Sequence, residues 1–342
     1  MSDPAPEARG RLRGVGTRTL SGVSGVGGAL AILAVLLIAF SVIAPGFLSF
    51  DNMVNILRQQ SVVLILAVGQ TLVIVSAGID LSVAATAALS GSIMGVTYAH
   101  LGLPDVVAVM VGVFSGTLVG AFNGWVITRW GVPDIIATLG ALTWVRGVAL
   151  LVTGGLPVPE FTQVVEGRRM PPAVTLLGAG SYYGVPLIIL VALVCAGIGA
   201  FILTRTKLGR SIVAVGGNRQ AAHVSGINVN RTKLLVYTIS GTLAAVGGIM
   251  LSGRLASANA LMANLVELET VAAVVIGGTA LFGGEGRISG TIVGVFILGV
   301  IGNGLNILGV SDFWQRVVTG LIIVAVVALD QWRRRLVAQG GS

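Results

Sequence analysis

Ten stretches of this chain are too long and too apolar to be anything but membrane-crossing segments, and they limit the fold before any motif is considered. They lie at about 27–45, 56–78, 81–100, 105–128, 134–153, 185–204, 232–252, 268–283, 288–309 and 313–331. A bilayer core of about 30 Å takes roughly 20 helical residues at 1.5 Å each, which is the length of most of these runs. Charged residues are 10% of the chain against about 25% in soluble domains, and 55% of it is hydrophobic. No two-residue alternation suggests a barrel, so the expected class is an all-α polytopic bundle. Glycine, at 50 residues, is spread through the apolar runs, where small side chains let helices approach backbone to backbone.

Charge sets the expected orientation. The polar, basic start MSDPAPEARGRLRGVGTRTL precedes an apolar run longer than the core of a signal peptide, so residues 1–26 are read as a cytoplasmic tail ahead of the first span. With that end inside, 15 of the 21 Lys and Arg residues fall on cytoplasmic segments and both termini are cytoplasmic, with 332–342 as the second tail. The same rule accounts for the net charge of +8, and no nucleic-acid partner is expected. One cysteine, Cys195, allows no disulfide framework, and no metal or cofactor site is expected. Within the transmembrane domain, 27–331, two connections are long. Residues 154–184, with four prolines, lie outside as an irregular or partly helical cap. Residues 205–233 lie inside, and their blocks IVAVGG and QAAHVSGI suit one or two short helices stopped by glycines.

There is an internal echo. SGTLVGAFNG at 115–124 resembles SGTIVGVF at 289–296 with NG at 303–304, and the tags GVPD at 131–134 and GVSD at 309–312 follow. By the span count the copies enter from opposite sides, as inverted-repeat halves of a transporter do.

Four places put polar groups in apolar surroundings. Ile56 to His100 is about 67 Å of helix, two crossings with little left for a loop, so the break falls at SAGIDLS, 76–82. There Gly78 suits the end of one helix, and Asp80 or Ser82 suits the cap of the next; helix capping and lining a path are both open. In VPDIIATLGALTWVRG, Pro133 and Asp134 suit a helix start, with Thr138 and Arg146 on one face; Arg146 either meets a polar partner or snorkels outward. Glu267 and Glu269 sit at a helix start, where acids favour the dipole, ahead of the turn Gly283-Gly284-Glu285-Gly286. Asn303 and Asn306 lie inside a span, suited to interhelical hydrogen bonds or to lining a path. The chain has no G-x-x-x-x-G-K-[ST] segment, so ATP binding of the P-loop kind is not expected, nor is an enzymatic role.

Taken together, GIDLS at 78–82, IATLGALTWVRGVALLVTGG at 136–155, GRSIVAVGGNRQAAHVSGINV at 209–229 and AAVVIGGTALFGGEGRISGTIVG at 272–294 resemble the permease subunit of ribose- and xylose-type ABC sugar importers. The resemblance covers roughly 50–331 and implies a ten-span, homodimeric translocation subunit in the bacterial plasma (inner) membrane, without an ATPase of its own. A cytoplasmic ATP-binding subunit would drive it, and an extracytoplasmic sugar-binding protein would deliver a monosaccharide. By the same resemblance Val215, Gly216, Gly217, Asn218, Ala221, Ala222 and Gly226 belong to a coupling loop that docks in the ATPase. The family often has glycine where this chain has Ala84 and Asn264, which weakens any transfer of substrate identity. For a neutral sugar, Asp80, Ser82, Thr138, Arg146, Asn303 and Asn306 are the expected translocation path. Two alternatives stand beside this reading. One is a permease for branched-chain amino acids or nucleosides; the other is an ion-coupled carrier using Asp80 and Glu269 as proton or sodium sites.

Overall fold

The computed structural model describes residues 13–165, 167–311, 313–322, 324–325 and 328, with side chains from Val26 onward except at 161 and 165. Of the two expected tails, residues 1–12 and 332–342 lie outside this range, as does most of 323–331 in the last expected span. The elements, in order, are α1 (Arg13–Ile43), α2 (Phe50–Val75), α3 (Val83–Ala99), α4 (Asp105–Arg129), α5 (Asp134–Thr153), α6 (Phe161–Val165), α7 (Pro172–Ala179), β1 (Ser181–Tyr182), β2 (Val185–Pro186) and α8 (Leu187–Arg205). There follow α9 (Lys207–Gly217), α10 (Arg219–Val224), α11 (Val229–Leu255), α12 (Val266–Ile276), α13 (Ile288–Ile307) and a last helical stretch, 313–322.

Seven of these helices are long and apolar enough to cross a membrane, and α3 is a shorter apolar helix of 17 residues. One expected span is corrected. Residues 268–283 are expected as a full crossing, but α12 has 11 residues, about 16 Å of helix, and covers half a bilayer. The chain then turns through Gly278, Gly283 and Gly284, all with positive φ, a backbone that side chains with a Cβ rarely adopt. Apart from Glu269 and Thr270 at its start, the run is mostly apolar on both sides of the helix end, so hydropathy alone does not reveal where helix gives way to turn.

The bundle is built round α2 and α11. Gly69 of α2 lies on the Ser240 backbone and Leu66 lies on Gly247, so the two run antiparallel. Gly116, Gly120 and Gly124 of α4 meet α11 at Gly241, Tyr237 and Leu234, again antiparallel, at distances that leave no room for a Cβ. On the other side α13 crosses α2 in the same sense, with Thr291 on Thr71 and Gly299 on Gln60.

These crossings carry the internal echo into three dimensions. Thr117 and Thr291 hold the same place in the two SGT copies. Thr117 Oγ1 pairs with Thr242 of α11 at 2.9 Å, and Thr291 Oγ1 pairs with Thr71 of α2 at 2.7 Å. Each copy therefore bonds to the long central helix of the opposite half, as a two-fold relation between inverted halves requires. The asparagines of the two NG pairs are also engaged across helices, Asn123 with Ser82 and Asn303 with Asn52.

The two long connections cap opposite ends. Segment 154–184 forms α6, α7 and the start of the β1–β2 hairpin, and it is tied down by Val158 bridging Ala258 and by Arg168 donating to the Ala99 carbonyl at 3.0 Å. Segment 205–233 forms α9 and α10. Three side chains accept first-turn N–H groups and set these starts: Thr206 from Gly209, Asn218 from Ala221, and Asn228 from Arg231 at the start of α11.

Candidate functional site

The break between α2 and α3 is held by a dense set of polar contacts. α2 ends at Val75, and Ala77, with φ 57°, takes the left-handed turn expected at Gly78. Gly78 is required for space instead, because a Cβ there would run into Asp134, Tyr237 and Lys233. Asp80 is 1% exposed and both its carboxylate oxygens are used. Oδ1 accepts the Ser82 N–H at 3.0 Å and the Ser82 hydroxyl at 2.6 Å, while Oδ2 accepts the Ser240 hydroxyl of α11 at 2.9 Å. Ser82 caps nothing with its side chain; its Oγ accepts from Asn123 Nδ2 of α4 at 2.9 Å. Gln70 of α2, its amide turned to satisfy both ends, donates to the Asp80 carbonyl at 3.0 Å and accepts the Asp80 N–H at 3.3 Å. The Asp80 carboxylate thus joins the break to α11, its backbone joins it to α2 through Gln70, and Ser82 joins it to α4.

A second cluster holds the neighbouring carbonyls. Lys233 Nζ, one turn into α11, donates to Asp134 Oδ2 at 2.5 Å and to the Ala77 carbonyl at 3.0 Å. Tyr237 OH donates to the same Asp134 oxygen at 2.9 Å, and Thr138 Oγ1 donates to the Ile79 carbonyl at 3.1 Å. The other side of the break rests on the α9 end of the molecule. Gly284 N–H donates to the Val75 carbonyl at 2.9 Å, and Gly216 packs on that same carbonyl.

The expected path residues therefore divide into three places. Asp80, Ser82 and Thr138 are fully enclosed around the break. Arg146 is at a distance from them, with Nη1 donating to the Ala260 carbonyl in the α11–α12 connection at 3.2 Å. Asn303 and Asn306 line a cavity of about 460 Å³ with Gln59, Gln60, Asn264 and Glu269. Asn303 also exchanges two amide hydrogen bonds with Asn52, at 2.8 and 2.9 Å. Sequence reasoning passed over Gln70, Asn123, Ser240, Lys233 and Tyr237; a lone polar residue inside each apolar run was the available signal.

The residues expected to form a coupling loop divide as well. Val215 and Ala222 are buried in a small core with Val229. Gly216 faces inward on Val75, whereas Gly217, Asn218, Ala221 and Gly226 are exposed, and a Cβ on Gly217 would meet nothing within 4 Å. Beside them lies an open concavity of about 860 Å³ lined by Asn218, Arg219, His223 and Asn228.

Two inverted halves around antiparallel central helices, a half-length helix and a polar cavity walled by both halves define a membrane transport permease. The chain belongs to the family described as branched-chain amino acid transport system / permease component, whose model matches residues 52–327. It is 38% identical over 301 residues to the ribose import permease protein RbsC of Haemophilus influenzae, covering 88% of this chain and 91% of that one. It is 39% identical over 299 residues to RbsC of Bacillus subtilis, covering 87% and 90%. With the xylose transport system permease protein XylH of Escherichia coli it shares 35% identity over 359 aligned positions, covering 89% and 91%. No solved structure matches.

Proposed function

We propose that this chain is the translocation subunit of an ATP-driven monosaccharide importer, lying in the plasma membrane of a bacterium with its α9–α10 end and both termini in the cytoplasm. The carrying observation is identity above one third, over nearly the whole length of both chains, to permeases named for ribose and xylose. The cavity suits such a solute. Its walls are rich in amides, which offer paired donors and acceptors to hydroxyl groups, and its volume of about 460 Å³ is in the range of small-molecule sites. Glu269 and Arg316 also line it, a pair of opposite charges that a zwitterionic amino acid would use, so the family description keeps a second reading alive.

On this reading the exposed residues Gly217, Asn218, Ala221 and Gly226 meet a separate ATP-binding subunit, an extracytoplasmic sugar-binding protein docks at the α6–α7 end, and a second copy of the chain completes the transporter. Gly217→Trp tests the coupling face, because the permease itself has open space there. Co-purification of the ATPase should fall at least about tenfold, equal to ~1.4 kcal/mol of binding, with the permease eluting as the wild type does. Undiminished co-purification would remove α9–α10 from the coupling role. Excess unlabelled L-leucine should leave D-ribose uptake unchanged; competition by leucine would favour the amino-acid reading.

A further inference from the structure

The Lys233–Asp134 ion pair stands between the α9–α10 module and the rest of the bundle, and no part of the reading above uses it. Among the described residues it is the only ion pair. Lys233 is 6% exposed, and Tyr237, which shares the Asp134 oxygen, is fully buried. A largely enclosed pair, with the Asp134 side chain 20% exposed, is poor as a device for stability alone, so its position is the informative feature.

That position is a joint. On one face of residues 75–79 lies the end of α9: Gly216 and Gly217 pack against Gly284, Gly216 packs against Val75, and Gly283 packs against Ala77. Each of these approaches is too close for a Cβ, so backbone rests on backbone and a displacement of α9 is not absorbed by side-chain rotation. On the other face, the pair holds the same segment. Lys233 binds the Ala77 carbonyl from α11, and Asp134, the first residue of α5, draws Lys233 and Tyr237 together under Gly78. Thr138, one turn further along α5, binds the Ile79 carbonyl. The break is thus gripped between the α9 end and the start of α5, and Lys233 fastens α11 to the break and to α5.

We infer that Lys233 and Asp134 are positioning residues for coupling, the pair through which movement of the α9–α10 module is passed by way of residues 75–79 to α5 and α11. The inference rests on the reading of α9–α10 as the ATPase-facing module. A neutral partner at either position would keep the packing but release the link, so that ATP would be hydrolysed without solute moving.

The test uses the assembled transporter, with its ATPase and binding protein, in proteoliposomes loaded with ATP, and reads D-ribose taken up per ATP hydrolysed. Asp134→Asn should leave the ATPase bound and hydrolysing while uptake per ATP falls at least tenfold. Lys233→Arg, which keeps the charge and its reach, should recover most of the wild-type ratio and serves if the asparagine variant does not fold. A purely architectural role would lower the yield of protein and leave the ratio of surviving transporter unchanged; that result for Asp134→Asn, or a collapsed ratio for Lys233→Arg, overturns the inference. Failure of the underlying reading is seen separately, as ATPase co-purification that Gly217→Trp does not disturb.

Discussion

Asp80→Leu should leave almost no folded permease in the membrane. Three donors lose their acceptor at once: the Ser82 N–H, the Ser82 hydroxyl and the Ser240 hydroxyl, all enclosed among α2, α4 and α11. At about 1–3 kcal/mol for each buried donor left unpaired, the loss is about 3 kcal/mol or more, a large part of the ~5–15 kcal/mol that holds a typical domain. Asp80→Asn separates shape from charge. Its side-chain oxygen still accepts from Ser82, and its amide faces Ser240, a hydroxyl that accepts as well as donates. This variant should therefore fold, at a cost of about 1 kcal/mol. Yield and thermal unfolding of the detergent-purified protein measure both effects. Equal yields for Asp80→Leu and wild type would show that the carboxylate does not organise the break.

Gly216→Leu should be as damaging as Gly217→Leu is mild, although the two positions are adjacent. At Gly216 a Cβ would overlap the Val75 carbonyl oxygen and crowd the Gly284 nitrogen, whereas at Gly217 it enters open space. Overpacking costs about 1–3 kcal/mol when side chains are able to yield. Here the obstacle is backbone that is itself hydrogen-bonded, since Gly284 N–H donates to Val75, so the upper figure applies. Gly216→Leu should lower the melting temperature by several degrees and abolish uptake. Gly217→Leu should melt with the wild type and lose only ATPase affinity. Similar melting of the two variants would contradict the packing of α9 on the break.

Much of this was legible in the residues. The positions of the seven long helices follow from hydropathy because a bilayer requires long apolar helices, and the break at 76–82 follows from length arithmetic. The helices of 205–233 follow from the blocks IVAVGG and QAAHVSGI, whereas the caps that start α10 and α11, Asn218 and Asn228, emerge only in the structure. What stayed hidden depends on partners remote in the chain. Asp80 meets Ser240 across 160 residues and Lys233 meets Asp134 across 99, and no local pattern carries such a pairing. Asp134 is an ordinary helix-start acid by its sequence position, while both partners of its Oδ2, Lys233 and Tyr237, lie on α11. Gly78 illustrates a subtler limit. A glycine at a helix end suggests positive φ, yet Ala77 takes that conformation and Gly78 is needed for the three side chains crowding it. The short α12 was hidden because helix and turn are equally apolar there.

The central claim is that this chain carries a sugar and is driven by a separate ATPase. Reconstituting it with its ATP-binding subunit and binding protein, then measuring entry of labelled D-ribose and D-xylose into vesicles, tests this most directly. Uptake of one of these sugars that requires ATP on the α9–α10 side and persists when proton and sodium gradients are abolished is the predicted result. Uptake by the chain alone, driven by an ion gradient and indifferent to ATP, would contradict it.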